Sequence, residues 1–214
     1  MTRILIVDDH EIYRKGVKQI LTEMGDNIFV DEANSGEEVI EYIWRNEYDA
    51  VLLDISMPGR NGLDVLKDIK SHKPELPVLM LSMYPEEQFA VRALKAKADG
   101  YLTKTAKPGE LLGAIQKIIK GKKYISPSLA ESLACYVEGD TAKDPHERLS
   151  DREYEVMCMT SAGKSVKQIA LELSLSDKTI STYRARILNK MNMNNFVQLI
   201  QYTIENQLLN QQKI

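Results

Sequence analysis

The chain has 214 residues, 43% of them apolar and 28% charged, with a formal net charge of −3. That length holds one large domain or two small ones, and the apolar share supports packed cores over bulk disorder. No apolar run reaches membrane length, and Asp8, Asp9 and Glu11 arrive where a secretory start would need an apolar stretch, so a cytoplasmic location is expected.

The charge is unevenly spread. Residues 147–214 hold 9 basic and 7 acidic side chains, which leaves a net −5 on residues 1–146. A mildly basic C-terminal part is compatible with nucleic acid but too weak to argue it alone. Cys135 and Cys158 lie in no metal or redox spacing and read as reduced, buried small side chains.

In chain order, residues 3–8 read as a buried strand and 11–24 as a helix with Ile12, Gly16, Ile20 and Leu21 near one face. A strand at 28–32 and a helix at 35–45 follow, with Ser35 and Glu38 spaced as a capping box. The third strand is 50–54, and Met57-Pro58-Gly59-Arg60-Asn61-Gly62 turns into a helix reaching about Ser71. The fourth strand is 77–82, and Pro85 suits the first turn of the next helix. The fifth is 100–103, and Pro108 opens a helix ending near Gly121. Five βα units predict an α/β domain, a doubly wound parallel five-stranded sheet of flavodoxin-like type, over residues 1–122. Residues 123–147 read as a linker with a short helix near 127–137. Residues 148–214 carry only helical patterns, at about 151–162, 165–173, 177–191 and 194–208, and predict an all-α four-helix domain.

Two apolar runs end in carboxylates: Ile4–Val7 in Asp8-Asp9, and Ala50–Leu53 in Asp54. Parallel sheets place their chemistry at that edge. Like charges gathered in one site need a partner, and a hard divalent cation such as Mg²⁺ suits oxygen ligands. Asp54 is then a candidate nucleophile, Lys104 an ionic clamp, and Ser82, at the end of the fourth strand, a hydroxyl donor for a phosphoryl group. Pattern alone fits phosphorylation and metal-assisted hydrolysis alike. His10 has no evident orienting partner and reads as a helix-start residue.

The segment 165–173, the joint Ser174-Leu175-Ser176 and the helix from Asp177 have the rhythm of a helix-turn-helix, with Ser176 or Asp177 as cap. Simple helix packing shares that rhythm. At 100° per residue, Ile180, Ile187 and Met191 share a core face, flanked by Leu188 and Arg184. Lys178, Ser181, Thr182, Ala185, Arg186 and Asn189 make the groove-facing candidate. Thr179, Tyr183 and Lys190 lie on one flank suited to phosphates, and Lys164 and Lys167 reach the backbone from the preceding helix.

On Asp8-Asp9, Asp54, Met57-Pro58-Gly59 with Gly62, Ser82, and Tyr101 with Lys104, the first domain resembles the receiver of bacterial two-component response regulators. The resemblance implies that Asp54 accepts a phosphoryl group from a sensor histidine kinase and that the receiver itself catalyses the transfer and slow autodephosphorylation. It also implies that Asp8, Asp9, Asp54 and the Ser56 carbonyl hold Mg²⁺, and that Ser82 and Lys104 bind the acyl phosphate. Ser82 and Tyr101 are the implied switch pair, the ring turning inward after the hydroxyl moves. Lys97 departs from the pattern, standing where glycine is common.

From Leu149-Ser150-Asp151-Arg152-Glu153 through Lys178-Thr179-Ile180 to Lys190-Met191, the second domain resembles the LuxR/FixJ-type output domain. That implies a DNA-binding transcriptional regulator that dimerises through its last helix, for which Phe196, Leu199, Ile200 and Thr203 form the expected stripe. Ser181 and Tyr183 replace the lysine and histidine common in the family, which predicts a degenerate inverted repeat read partly by DNA shape. The rival readings are a small metal-dependent phosphatase and a protein-interaction module using the C-terminal helices.

Overall fold

A computed structural model describes residues 1–22, 27–138, 144–206 and 208, apart from the side chains of Glu87, Ser132 and 134–138. Residues 23–24 of the expected first helix, residue 207 of the last one and the Cys135 side chain therefore lie outside the described residues; Cys158 is a buried free thiol. Contacts divide the chain into Met1–Leu133 and Ala134–Ile214. Residues 123–133, expected in the linker, thus pack with the first unit.

In that unit β1 (Thr2–Val7), β2 (Ile28–Ala33), β3 (Ala50–Asp54), β4 (Val78–Ser82) and β5 (Gly100–Thr103) form one parallel sheet in the order β2-β1-β3-β4-β5. Alternate residues serve opposite faces. Ile4, Ile6, Leu52, Leu79, Leu81 and Leu102 pack against Val17 and Leu21 of α1 (Glu11–Thr22) and Leu111, Ala114, Ile115 and Ile118 of α5 (Pro108–Ile119). The other helices are α2 (Gly36–Arg45), α3 (Gly62–His72) and α4 (Glu86–Lys95), whose buried residues include Val39, Ile43, Val65, Leu66, Ile69 and Phe89. Burial on both faces is why the strands read as continuous apolar runs.

The Ser35–Glu38 capping box does not form. The Ser35 side chain makes no cap hydrogen bond, and Glu38 instead accepts from the Asn34 N–H, at 3.2 Å. Asn61 caps α3 by accepting from the Leu63 N–H at 2.8 Å.

Lys97 ends α4 in the left-handed region, at φ 69°. Its N–H donates to the Leu94 carbonyl and the Ala98 N–H to that of Ala93, both at 2.9 Å, which satisfies carbonyls at the helix end. A Cβ strains that conformation. Lys97→Gly should therefore stabilise the protein by about 1 kcal/mol in urea denaturation; an unchanged or lower midpoint would contradict this account of the turn.

The second unit holds α7 (Asp151–Ser161), α8 (Val166–Glu172), α9 (Asp177–Lys190) and α10 (Phe196–Glu205), and α6 (Pro127–Glu138) runs between the two units along the chain. Ser150 with Glu153 and Ser165 with Gln168 close two capping boxes that open α7 and α8, and Ser176 caps α9. His146, in a 3-10 turn at Pro145–Arg148, meets the Tyr202 hydroxyl at 2.8 Å and so ties the start of the unit to α10.

Candidate functional site

The sheet order reverses beside β1, so the crevice between the carboxyl ends of β1 and β3 is where a site is expected. Asp8 follows β1, Asp54 ends β3, Ser82 ends β4 and Lys104 follows β5, and all four are buried. Lys104 Nζ lies 2.7 Å from Asp54 Oδ2 and 2.7 Å from Asp8 Oδ2. The Ser56 N–H donates to Asp54 Oδ1 at 3.3 Å. Gly62 makes room for this turn, for its N–H donates to the Ile55 carbonyl at 2.8 Å and it touches the Asp54 backbone.

Two carboxylates share one ammonium here. Burial pushes the Asp54 carboxyl up to about 7; Lys104 opposes the shift and Asp8 adds to it. Burial alone would lower Lys104, but Asp54 and Asp8 outweigh it and hold the amine above its ordinary value. A 2.7 Å ion pair would normally lower a carboxyl, so the direction for Asp54 rests on its near-complete loss of water and on the second negative charge. The site therefore has an unmet demand for positive charge.

Oxygens of Asp8, Asp9 and Asp54 and a ring nitrogen of His10 lie within 4.8 Å of one another and could hold a metal ion. Asp9 Oδ1 is buried without a well-aligned donor, although His10 Nδ1 stands 2.9 Å from it. An oxygen-rich set with an unsatisfied carboxylate oxygen fits a hard cation.

Sequence reasoning missed three neighbours. His10 has partners after all: its N–H donates to Asp8 Oδ1 at 2.9 Å and its ring faces both Asp8 and Asp9. Arg14 donates to the Asp8 carbonyl at 2.6 Å and pairs with Glu32, which fixes the loop bearing the two acids. The Tyr13 ring lies 4.9 Å from Lys104 Nζ, and burial beside the carboxylates holds its hydroxyl protonated. The spacing from Asp8 to Arg14 across a strand–helix turn was the one available signal. Tyr101 is fully buried, its hydroxyl donating to the Tyr84 carbonyl at 2.8 Å, so its ring already lies inward.

In the helical unit the α9 division holds. Ile180, Ile187 and Met191 are buried, while Lys178, Ser181, Thr182, Ala185, Arg186 and Asn189 are exposed. A shallow cleft of ≈ 300 Å³ gathers Ser176, Lys178, Thr179, Thr182, Tyr183 and Arg186, so Tyr183 joins the charged face. Ser181 and Thr182 donate back to the Asp177 and Lys178 carbonyls at 2.8 and 2.9 Å, which leaves lone pairs and a methyl outward. Lys167 is exposed, Lys164 pairs with Glu172 at 2.5 Å, and Lys190 pairs with Glu153 at 2.6 Å. Arg184 lies over the Phe196 ring, 3.9 Å from its centroid.

The α10 stripe needs correction. Leu199 and Thr203 are fully buried within the chain and so hold the fold, whereas Phe196, beneath the Arg184 guanidinium, and Ile200 are both partly buried. The exposed apolar residues of α10 are Val197 and Ile204, at 74% and 53%.

A buried acid–lysine pocket on a parallel sheet, followed by a helix-turn-helix, defines a response regulator of the DNA-binding type. The family models agree: a response regulator receiver domain matches residues 4–116, and the luxR family of bacterial regulatory proteins matches 147–203. The chain belongs to this family. It is 35% identical over 211 residues to response regulator UvrY of Escherichia coli (strain K12), covering 98% of this chain and 97% of that protein. It is 34% identical over 200 residues to response regulator GacA of a Pseudomonas aeruginosa strain, covering 93% and 94%. A structure of RcsB from Salmonella enterica serovar Typhimurium bound to promoter rprA with the phosphomimetic BeF3⁻ matches at TM-score 0.62 and 27% identity, covering 94% and 98%. No helix among the described residues is long and apolar enough to cross a membrane.

Proposed function

We propose that Asp54 is the phosphoacceptor of this cytoplasmic regulator and that its phosphorylation by a sensor histidine kinase favours a DNA-bound homodimer. The observation that carries this reading is the 2.7 Å contact of Lys104 with both Asp54 and Asp8 at the carboxyl edge of the sheet. An ionised Asp54 oxygen attacks phosphorus as the bond to the donor breaks. Lys104 and Ser82 then face the oxygens of the acyl phosphate. Asp8, Asp9 and Asp54, with the Ser56 carbonyl, would hold Mg²⁺, which neutralises charge on the transferred group when bound. The receiver thus catalyses its own modification and slow dephosphorylation. Ile12, 88% exposed, and an apolar groove of ≈ 250 Å³ beside Lys104 offer the donor protein a seat.

The receiver spans residues 1–122, the linker 123–147 and the output domain 148–214, with the linker's first turns resting on the receiver. α9 enters the major groove with Lys178, Ser181, Thr182, Ala185, Arg186 and Asn189 toward base edges. Thr179, Tyr183, Lys164, Lys167 and Lys190 serve phosphates, Lys190 after exchanging Glu153 for DNA. The back-bonded Ser181 and Thr182 offer few donors, which favours a degenerate inverted repeat. Val197 and Ile204 supply the apolar part of the dimer face on α10.

Selection from a random duplex library, with the intact protein unmodified or treated with a small-molecule phosphodonor and Mg²⁺, tests both halves. An inverted repeat enriched only by the phosphorylated protein is the expected result. Turnover of external phosphate esters would favour the phosphatase, and no enrichment in either pool the interaction module. On the selected site Arg186→Ala should weaken binding roughly tenfold and leave random duplex nearly unchanged. Lys190→Ala should weaken both alike; equal losses for both variants on both duplexes would remove Arg186 as a base reader.

A further inference from the structure

The first residues after α5 run along the open edge of β5. The Tyr124 N–H donates to the Asp99 carbonyl at 2.8 Å, Tyr124 forms a parallel bridge with Gly100, and Lys123 pairs with Asp99 at 2.8 Å. This track brings Ser126 and Ser128 to the first residue of α4. Both hydroxyls donate to one oxygen of Glu86, that of Ser128 at 2.8 Å. Ser126 is itself buried, and its Oγ accepts the Leu129 N–H at 3.1 Å, which caps the helix α6. With a carboxylate as acceptor, these are charge-assisted bonds.

Glu86 also stands next to the switch elements. Ser82 Oγ accepts the Tyr84 N–H at 2.9 Å. The Tyr101 hydroxyl donates to the Tyr84 carbonyl and reaches that of Pro85 at 3.4 Å. Pro85 fixes the backbone between this turn and Glu86. An unbroken series of bonds thus leads from the Ser82 hydroxyl, at the end of β4, to the cap of α6.

We infer that Glu86 is a positioning residue that reports the state of Asp54 to the linker helix. This rests on the reading of Asp54 as phosphoacceptor. A phosphoryl group that draws Ser82 Oγ toward itself takes the acceptor from the Tyr84 N–H. The turn from Met83 to Pro85 shifts, and Glu86 loosens its hold on Ser126 and Ser128. Phosphorylation then uncaps α6, the segment leading to the output domain.

Amide hydrogen exchange of the full chain by mass spectrometry, with intact mass reporting phosphoryl uptake, tests the relay. In the wild type, phosphorylation should speed exchange of the 128–133 amides at least threefold. Glu86→Ala should exchange that fast without phosphorylation and rise no further, with uptake unchanged and residues 78–82 protected as before. Glu86→Gln, which keeps an acceptor oxygen, should restore most of the wild-type response. Uptake with no change in wild-type exchange, or a full response in Glu86→Ala, would overturn the relay alone. Absence of uptake in the wild type would overturn the pocket reading and the relay with it.

Discussion

Asp54→Asn should abolish phosphoryl uptake and, at the same time, make the receiver more stable near neutral pH. Burial pushes the Asp54 carboxyl up to about 7, well above an unfolded aspartate. Between those two values the native protein binds more protons than the unfolded chain, so stability falls as pH rises through the window. Asparagine removes that fall, leaves Lys104 paired with Asp8, and keeps an oxygen for the amine. The gain at pH 7.5 should be on the order of 2 kcal/mol, shrinking toward pH 4. Urea denaturation at the two pH values measures it. Adding Mg²⁺ should stabilise the wild type more than the variant, since the wild type carries one more negative charge in the cluster of Asp8, Asp9 and Asp54. An asparagine variant less stable than wild type at pH 7.5 would mean that the ionised cluster is not under charge strain.

Gly62→Ala should be the most damaging single methyl in the receiver. Its Cβ would lie 1.9 Å from the Asp54 carbonyl oxygen and 2.8 Å from the Asp54 carbonyl carbon. Backbone atoms on a central strand cannot rotate away, so β3 or the start of α3 must move, and the Asp54 carboxylate with it. We expect a loss on the order of 4 kcal/mol, the size reached when packing cannot relax, with phosphoryl uptake reduced in whatever remains folded. Gly36→Ala should cost less, because the atom it meets, at 2.6 Å, is a Val65 methyl. Gly109→Ala meets nothing within 4 Å and should gain up to about 1 kcal/mol on helix propensity. Equal denaturation midpoints for Gly62→Ala and Gly109→Ala would refute the close approach.

The receiver was legible because its signals are local and redundant. Apolar runs mark strands buried on both faces, and a carboxylate, hydroxyl or lysine at or just after a strand end marks the pocket edge. What escaped depended on partners and backbone angles that periodicity does not carry. Periodicity set Lys190 on a polar flank but could not show Glu153, 37 residues upstream, beside it. The same period found the apolar residues of α10 but not which of them face inward. Leu199 and Thr203 turned out to be core, which left Val197 and Ile204 outside. Ser35 and Glu38 had the spacing of a capping box, yet Glu38 took the Asn34 N–H instead. At Lys97 the noted departure from glycine marked a left-handed helix end, which only the backbone angle explains.

The pocket is assembled from residues 8, 54, 82 and 104, each contributed by a different strand end. Such a site is a long-range object: ordering it closes loops of tens of residues before any of its contacts can form. During synthesis no fragment that stops short of Lys104 can complete this pocket, whereas α7 to α10 need only their own contiguous stretch. Because domains fold as units from the N-terminus, the receiver can be complete while the output helices are still being made. The chain order thus lets the acidic pocket be finished before the helix-turn-helix that follows it in the chain exists.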